Sequence, residues 1–364
     1  MSNPPGSIGT SRGRLNRGDM TNDLRRVMII DGGFSSQLIH HVSARVDGDP
    51  LWSARFLSDD PKAVVRTHLD FLRAGSKLIT TNTFQASIGG FVKYLNISEE
   101  EALQLMADAV SYAREAITLY QTERASSLLT ALKNDNRSNP DDKILIAGSV
   151  GPYGACLSDG SEYNGDYIET VDEEELANWH RPRINTLVKE GVDLLAFETI
   201  PTVVEARVLM RMLVKEFPGQ KAWLSFSSQD GERTAHKENF ESAVRECWAL
   251  GKGQLVAIGV NCLQPSHATS LLTKINSSDG PTIPLIVYPN SGEKWDHDKG
   301  WLDKHLCEPV RTFVPKWLEL GVCYVGGCCR ISAEDISAIK EEVEAYVQEK
   351  ENLDGSKSIV GTCN

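Results

Sequence analysis

Three cysteines stand at the ends of short apolar runs and are candidates for a metal site. In the segment GVCYVGGCCR (residues 321–330), an apolar run passes through two glycines into the adjacent thiols Cys328 and Cys329. The run LVAIGVNC (255–262) ends in a third thiol, Cys262. Two neighbouring cysteines are poorly placed to form a disulfide with each other, but a tight glycine turn lets both reach one soft metal ion. Three thiolates without an evident fourth ligand predict Zn²⁺ with one open coordination position.

A simpler interpretation applies to most of the other cysteines. A free cysteine at a strand end is more often a small buried core residue than a ligand. We keep that interpretation for Cys156, Cys247, Cys307 and Cys323, while Cys363 falls in the predicted tail. The metal site is favoured for the three thiols above because all of them close apolar strands at the same kind of boundary. The spacing of the cysteines alone does not predict a metal site, since the adjacent pair Cys328–Cys329 is not the CxxC motif typical of zinc sites.

Apolar runs alternate with amphipathic stretches along most of the chain. Eight runs predict strands: Val27–Asp31, Lys77–Thr81, Lys143–Gly148, Val192–Phe197, Ala222–Phe226, Val256–Val260, Leu285–Tyr288 and Cys323–Val325. The stretches that predict helices are Pro61–Ala74, Ser98–Leu132, Asp172–Glu190, Val203–Phe217, Phe240–Leu250, Ser266–Ile275, Glu308–Leu320 and Ser332–Gln348, the last opened by a capping box. Near-continuous apolar strands that alternate with helices predict a parallel sheet covered on its outer face.

Eight such units predict an α/β protein with a single-domain (β/α)8 TIM barrel. The alternative is a doubly wound open sheet, which would have a G-x-G-x-x-G turn after the first strand, and DGGFSSQ at 31–37 lacks that spacing. We expect a flexible leader over residues 1–25, the barrel over 26–348 and a flexible tail over 349–364. The polar stretch Lys133–Asp142 is predicted to be a surface loop.

Composition narrows the possible partners. The 364 residues carry a net charge of -12, which argues against nucleic acid or an anionic membrane as partner and leaves small-molecule substrates. No apolar stretch approaches the roughly 18 residues that span a bilayer, and the first residues have no signal-peptide core. We therefore expect a cytoplasmic protein whose eight cysteines stay reduced, in a monomer or alternatively a homodimer.

The carboxyl ends of barrel strands converge on one face, where barrel enzymes do their chemistry. That ring of strand ends contains Asp31 and Glu198, and no histidine. The two carboxylates can act as a general acid/base pair or can bind the ammonium group of an amino acid, while N–H groups near Gly32 and Gly33 take its carboxylate. A turn or cap is the structural alternative for Asp31. Glu198 follows an apolar run, and a buried carboxylate there would be costly without a ligand.

A zinc site made of thiolates with one open position suits another thiol. The metal lowers the pKa of the incoming thiol, so that it is held as a nucleophilic sulfur at neutral pH without a separate base. An in-line attack of that sulfur on an activated methyl group completes the predicted chemistry.

Eight motifs together resemble one family, the zinc-dependent homocysteine S-methyltransferases, from about Met28 to Tyr346. They are DGGFSSQL at Asp31, TNTFQAS at Thr81, GSVGPYGA at Gly148, DGSEYNGDY at Asp159, FETIP at Phe197, GVNC at Gly259, YPNSGE at Tyr288 and GGCCR at Gly326. The GPYGA and DGSEYNGDY segments are similar to the branch that uses S-methylmethionine or S-adenosylmethionine rather than betaine. Gln85 stands where the betaine users carry an aromatic donor contact.

The resemblance implies roles for individual residues. It implies a zinc held by Cys262, Cys328 and Cys329, with homocysteine completing the tetrahedron. Its amino-acid end would be held by Asp31, Gly32, Thr81 and Glu198, and the neighbouring ring positions Gly33, Phe34 and Asn261 join them as candidates. Candidates for the donor site are Gln85, Tyr153, Glu162, Tyr163, Tyr288 and Asn290.

Other functions stay open at this point. A zinc hydrolase that activates water would need histidine or carboxylate ligands and a base near the water. A non-catalytic zinc or redox protein could use Cys328 and Cys329, but it leaves Asp31 and Glu198 without a role. The acceptor can also be another thiol or a selenol such as selenocysteine, and the sequence does not rank S-methylmethionine against S-adenosylmethionine.

Overall fold

The computed structural model describes residues 27–131, 143–251, 253–277, 282–296 and 300–354. The predicted leader, the predicted loop Lys133–Asp142 and the end of the chain from residue 355, with Cys363, lie outside these residues.

Eight parallel strands form a barrel. They are β1 (Met28–Ile29), β2 (Leu78–Thr80), β3 (Leu145–Val150), β4 (Leu194–Ile200), β5 (Lys221–Phe226), β6 (Leu255–Asn261), β7 (Leu285–Tyr288) and β10 (Val322–Val325), whereas β8 (Lys294–Asp296) and β9 (Gly300–Leu302) form a separate hairpin. The sheet order is β1-β10-β7-β6-β5-β4-β3-β2. A parallel bridge between Ile30 and Leu78 joins its two edges. The predicted (β/α)8 barrel is thereby confirmed.

Helices follow the strands on the outside. In the described part of the chain they are α1 (Phe34–Leu38), α2 (Phe56–Asp59), α3 (Pro61–Ala74), α4 (Ile88–Leu95), α5 (Glu99–Ala131), α6 (Glu173–Lys189), α7 (Val203–Glu216), α8 (Phe240–Leu250), α9 (Pro265–Thr273), α10 (Val314–Glu319) and α11 (Ala333–Asp354). The predicted capping box of α11 is present, because the Ser332 amide donates to the Asp335 side chain and the Asp335 amide to Ser332 Oγ.

Some helix and strand predictions were wrong in detail. The single helix predicted over Glu308–Leu320 is a 3₁₀ turn, Val310–Phe313, followed by the short α10. Pro315 lies in the first turn of α10, where its missing N–H costs no helical hydrogen bond. Helix α4 is not among the predicted helices, and α11 continues to Asp354, beyond its predicted end at Gln348. β1 is shorter than predicted.

Two apolar layers hold the strands in place. Inside the barrel the filling side chains are mostly small or branched, with one buried tryptophan, Trp223, among Ile30, Leu78, Ala147, Ala196, Ala257 and Ile286. Outside it, a larger cluster packs the sheet against the helices. The two layers hold the strands in a ring whose strand ends all open on one face.

Among the described residues, no helix is both long and apolar enough to cross a membrane.

Candidate metal and substrate site

The three predicted thiols meet at the carboxyl ends of β6 and β10. Their sulfur atoms all lie within 4.8 Å of one another, with 3.5 Å between Cys262 and Cys329 and 4.0 Å between Cys328 and Cys329. A tetrahedral zinc ion with bonds of about 2.3 Å separates its sulfur ligands by about 3.8 Å. The spacing of these sulfurs therefore fits a single zinc ion.

Close backbone packing fixes the turn that carries Cys328 and Cys329. A side chain at Gly326 would overlap Ile30, and one at Gly327 would overlap Ile331, so only glycine fits both positions. The Gly327 amide donates to the Asp31 carbonyl at 3.0 Å, and the Cys328 amide donates to the Pro289 carbonyl at 2.7 Å. The pair of thiols is thus tied to the ends of both β1 and β7.

Cys262 reaches the cluster through an unusual backbone conformation. Its φ is +53°, in the left-handed region that non-glycine residues rarely adopt. Its amide donates to the Tyr288 carbonyl at 3.1 Å, which holds the residue at the end of β7. Strained backbone that is held by its surroundings is typical of functional sites.

Each of the three thiols changes the pKa of the others. Hydrogen bonds from Cys328 and Cys329 lower the pKa of Cys262 well below its usual value. The same hydrogen bonds raise the pKa of Cys328 and Cys329, because each donor must keep its proton, and burial and the negative charge of Cys262 add to the effect. A cation is the natural partner for this cluster, since it would allow all three sulfurs to be charged together.

The thiols form one wall of a cavity at the barrel mouth. The predicted homocysteine residues that line it are Asp31, Gly32, Gly33, Phe34, Thr81, Glu198 and Asn261. The cavity thus brings the two carboxylates and the thiols to one space. An amino acid with a thiol side chain has matching groups for both sides of such a space.

Asp31 is buried and carries a raised pKa. Its Oδ2 atom accepts hydrogen bonds from the Thr80 amide at 2.7 Å and from Thr80 Oγ1 at 3.0 Å. Burial raises the pKa of Asp31 to about 8 in spite of these bonds. A positive group in the cavity would restore the charged form.

Glu198 is held by side chains from two other strands. Ser149 Oγ donates to its Oε1, and the Tyr288 hydroxyl donates to its Oε2 at 3.1 Å. Tyr288 is oriented in turn by Trp223 Nε1 at 2.9 Å and by Ser225 Oγ at 2.5 Å. Burial raises the pKa of Glu198 to about 7. These hydrogen bonds hold the buried Glu198 carboxylate in a position that lines the cavity.

Three predicted contacts have internal partners. The Gly33 amide donates to the Ile331 carbonyl at 2.9 Å, so of the N–H groups near Gly32 and Gly33 that are predicted to take a substrate carboxylate, this one already has a partner. Thr81 Oγ1 contacts Thr83 Oγ1 at 2.6 Å. Asn261 binds Thr199 through both side-chain atoms at 2.7 Å, and it supports the positive φ of 60° at Thr199. Thr81 and Asn261 thus brace the strand ends as well as line the cavity.

The predicted donor residues divide into two groups. Tyr163 and Tyr288 line the cavity, and the Tyr163 hydroxyl lies 3.2 Å from the sulfur of Cys262. The other four candidates, Gln85, Tyr153, Glu162 and Asn290, do not line it. Gln85 donates to the Pro50 carbonyl, and the Asn290 side chain accepts from the Gly292 amide. Both contacts hold loops in place.

Tyr153 and Glu162 lie in the segment that follows β3. Tyr153 packs on the rings of Tyr167 and Trp179. One carboxylate oxygen of Glu162, Oε2, is buried without a hydrogen-bond partner among the described residues. Burial raises the pKa of Glu162 to about 7.

Two residues of the cavity lining, Ser53 and Thr80, are not among the predicted site residues. Ser53 lies in the 3₁₀ turn Trp52–Arg55, and Thr80 lies in β2, inside the predicted strand Lys77–Thr81. The contact of the Thr80 hydroxyl with Asp31 depends on the folded barrel, which brings the ends of β1 and β2 together.

Glu205 anchors the segment that carries Tyr163. It is completely buried at the start of α7, where its carboxylate accepts from the Tyr153 amide at 2.8 Å, from His180 Nε2 at 2.8 Å and from the Tyr167 hydroxyl. Because Tyr167 follows Tyr163 closely in the chain, this contact restrains the 3₁₀ turns Ser161–Tyr163 and Asp166–Glu169, the first of which brings Tyr163 to the cavity.

Known proteins match nearly the whole chain. The family profile described as homocysteine S-methyltransferase matches residues 28–343. Betaine-homocysteine S-methyltransferase of Drosophila melanogaster is 43% identical over 331 residues, which cover 88% of this chain and 96% of that protein. Selenocysteine methyltransferase of Astragalus bisulcatus is 36% identical over 330 residues, with coverage of 88% and 94%. The metallated form of the homocysteine methyltransferase MmuM from Escherichia coli superposes with a TM-score of 0.71 at 33% identity, covering 87% and 96%.

Proposed function

The chain belongs to the homocysteine S-methyltransferase family and is a methyltransferase of that class, and from this premise we propose its metal, its donor and its site residues. The enzyme uses zinc held by Cys262, Cys328 and Cys329. It transfers a methyl group from a sulfonium donor, S-methylmethionine or S-adenosylmethionine, to the sulfur of homocysteine. The product is methionine.

One observation carries this proposal. Three sulfur atoms within 4.8 Å of one another share a cavity with two buried carboxylates, Asp31 and Glu198. The sulfur spacing suits one tetrahedral metal ion with a free position, and the carboxylates suit an ammonium group. Zinc bound there would lower the pKa of an incoming thiol, which otherwise carries its proton at neutral pH.

The residues of the chain then orient the acceptor. Asp31 and Glu198 bind the homocysteine ammonium group, and the Gly32 amide, which has no backbone partner in the described part of the chain, is available to its carboxylate. The thiol proton leaves to solvent. The homocysteine sulfur gives an electron pair to the methyl carbon, and the new S–CH₃ bond forms while the donor sulfur keeps the pair of the bond that breaks. Neither step needs a general base from the protein.

The methyl donor is proposed from sequence motifs and from the residues that line the cavity. The GPYGA and DGSEYNGDY segments, and a glutamine at position 85, support a sulfonium donor. Of the predicted donor residues, Tyr163 and Tyr288 border the cavity, while Gln85, Tyr153, Glu162 and Asn290, which are not in its lining, stay proposed contacts. One relative is named for betaine, so betaine is a third donor for the assay.

A second acceptor has specific support. One relative is named a selenocysteine methyltransferase, and a selenol is a softer and more acidic analogue of a thiol. We therefore propose selenocysteine as the alternative acceptor. The zinc hydrolase is disfavoured because no histidine is found among the described residues that line the cavity. The non-catalytic zinc or redox protein is disfavoured because it gives Asp31 and Glu198 no role.

Metal analysis together with a donor screen tests the proposal. We expect about one zinc per chain and methionine formation from homocysteine with S-methylmethionine or S-adenosylmethionine, but not with betaine. Selenocysteine replaces homocysteine in a parallel set of assays. Turnover with betaine alone would overturn the proposed donor, and full turnover of protein stripped of zinc would overturn the proposed metal.

Location and assembly complete the proposal. A cytoplasmic location suits a site built from thiols, because a reducing compartment keeps them free of disulfides. The described residues show seven free cysteines. We propose a monomer, with a homodimer as the alternative, and light scattering after size-exclusion chromatography distinguishes the two.

A further inference from the structure

The loop that follows β7 connects the two turns that carry the thiols. Its residue Pro289 accepts a hydrogen bond from the Cys328 amide at 2.7 Å, and the Ser291 amide donates to the Cys329 carbonyl at 3.2 Å. On its other side the Asn290 amide donates to Leu263, the residue after Cys262, at 3.0 Å. This loop therefore links the turn that carries Cys262 to the turn that carries Cys328 and Cys329.

A partly buried ion pair joins Glu293 of this loop to Arg330, the residue directly after the thiols. The Glu293 carboxylate accepts from Arg330 Nε at 3.1 Å and Nη2 at 3.4 Å. It also accepts from Ser291 Oγ at 2.7 Å. The Glu293 side chain is only 2% exposed and that of Arg330 32%. A buried carboxylate of this kind is costly unless its cation stays in place, so the pair opposes any separation of the two loops.

Arg330 itself has a constrained backbone. Its φ is +67°, in the left-handed region, and its amide donates to Ser36 Oγ of α1 at 2.8 Å. An arginine does not favour this conformation, so contacts elsewhere must hold it there. The two-point contact with Glu293 supplies such a restraint immediately next to Cys329.

We propose that Glu293 and Arg330 are a positioning pair that sets the spacing of the metal-binding sulfurs. Neither residue touches the thiols through its side chain. They act by fixing the turn that carries Cys328 and Cys329 relative to Cys262. The inference rests on the proposed function in one respect, namely that these three thiols bind a metal ion. It assigns a role to the last residue of the YPNSGE motif and to the last residue of GGCCR, which the proposed reaction leaves unused.

Zinc affinity of the full chain tests this inference directly. Affinity is measured by competition with a chromogenic chelator for the wild type, Glu293→Gln, Arg330→Met and the double variant. Loss of partners that orient metal ligands typically weakens binding 10- to 100-fold, and we expect that range for each single variant. The double variant should bind zinc no more weakly than Arg330→Met, because Arg330→Met leaves the buried Glu293 carboxylate unpaired and the double variant does not. The Co²⁺ spectrum of each variant reports the geometry of the sulfur ligands independently of activity.

Glu216→Gln is the matched control. It removes a carboxylate that pairs with Arg181 at 2.7 Å on the exposed side of the helices, and it should leave zinc affinity unchanged. If Glu293→Gln does not fold, Arg330→Lys replaces it, since lysine keeps the charge but loses the two-point contact. Folded variants with wild-type zinc affinity and an unchanged Co²⁺ spectrum would overturn the inference. A wild-type chain that binds no zinc would instead overturn the proposed metal chemistry together with the inference.

Discussion

At the scale of single residues, the site is governed by burial. Asp31 and Glu198 lose the solvation of their charged forms, and the pKa of each rises, to about 8 and about 7. The thiols act on one another instead, since the hydrogen bonds to Cys262 raise the pKa of Cys328 and Cys329. In the proposed function an ammonium group would restore the charge of the carboxylates, and a metal ion that of the sulfurs.

The raised pKa values of Asp31 and Glu198 predict that binding of the amino-acid end of the proposed substrate depends on pH. Methionine is a suitable probe because it has an ammonium group and no ionising thiol. Below their raised pKa values the two carboxyls are protonated and bind an ammonium group poorly, so affinity should increase as the pH rises from 6 to 8. We expect a gain of at least roughly tenfold, because the charged fraction of a carboxyl with a pKa of about 7, such as Glu198, rises about tenfold between pH 6 and pH 8. Isothermal titration calorimetry at several pH values measures it.

Asp31→Asn is the control for that experiment. The amide cannot become charged, so the variant should bind methionine more weakly at pH 8 and show a flatter profile. A wild-type affinity that is constant between pH 6 and 8 would contradict the assigned role of both carboxylates.

At the scale of structural elements, the segment after β3 is the main addition to the bare barrel. It consists of three 3₁₀ turns, Tyr153–Leu157, Ser161–Tyr163 and Asp166–Glu169. Ser227 Oγ donates to the Glu162 carbonyl at 2.9 Å, and the Gln229 side chain donates to the Tyr163 carbonyl. With the contact between Tyr167 and Glu205, these bonds place the Tyr163 hydroxyl next to Cys262.

Tyr167→Phe is expected to loosen this segment. The change removes a hydroxyl that binds a completely buried carboxylate, which should cost about 1–3 kcal/mol of unfolding free energy. Because the segment covers the proposed donor side, the KM of the sulfonium donor should rise several-fold while methionine affinity stays the same. Urea unfolding and steady-state kinetics measure the two effects.

Tyr153→Phe is the matched control in the same segment. Within the described residues its ring makes the contacts, whereas no hydrogen bond of its hydroxyl is found, so its unfolding free energy should change little. Equal donor KM values for Tyr167→Phe and the wild type would remove the segment from the donor site.

At the scale of the whole molecule, the barrel is built without the thiol cluster. Its interior is filled by apolar side chains and its outer surface is sealed by the helices. Cys328 and Cys329 are only partly buried. Most of the buried apolar area, which drives folding, therefore lies elsewhere.

Cys329→Ala should accordingly separate function from folding. We expect the variant to lose tight zinc binding and turnover, while its unfolding free energy in metal-free buffer changes by less than about 1–2 kcal/mol. Circular dichroism during urea unfolding checks the fold, and metal analysis checks the site. Loss of cooperative unfolding in both this variant and the metal-free wild type would instead identify the metal as structural.

The barrel and the main chemical groups of its mouth could be predicted from residue types and their order in the chain. Alternation of apolar strands with amphipathic helices is a local property, so most elements could be located from residue types alone. Cys262, Cys328, Cys329, Asp31 and Glu198 could be identified because each stands at the end of an apolar run. In a parallel barrel, position at a strand end is enough to predict a place at the mouth.

The contacts between side chains of different segments could not be predicted in the same way. Tyr163 meets Cys262, Glu205 meets Tyr167, and Glu293 meets Arg330. These contacts join residues that are distant in the chain, and a run of residue types contains no information about the loop conformations that bring them together. The amide of Gly33 illustrates the reverse case, because its position was predicted correctly but its hydrogen bond goes to Ile331. The alternation of strands and helices is a local pattern, whereas loop contacts depend on the packing of the whole chain.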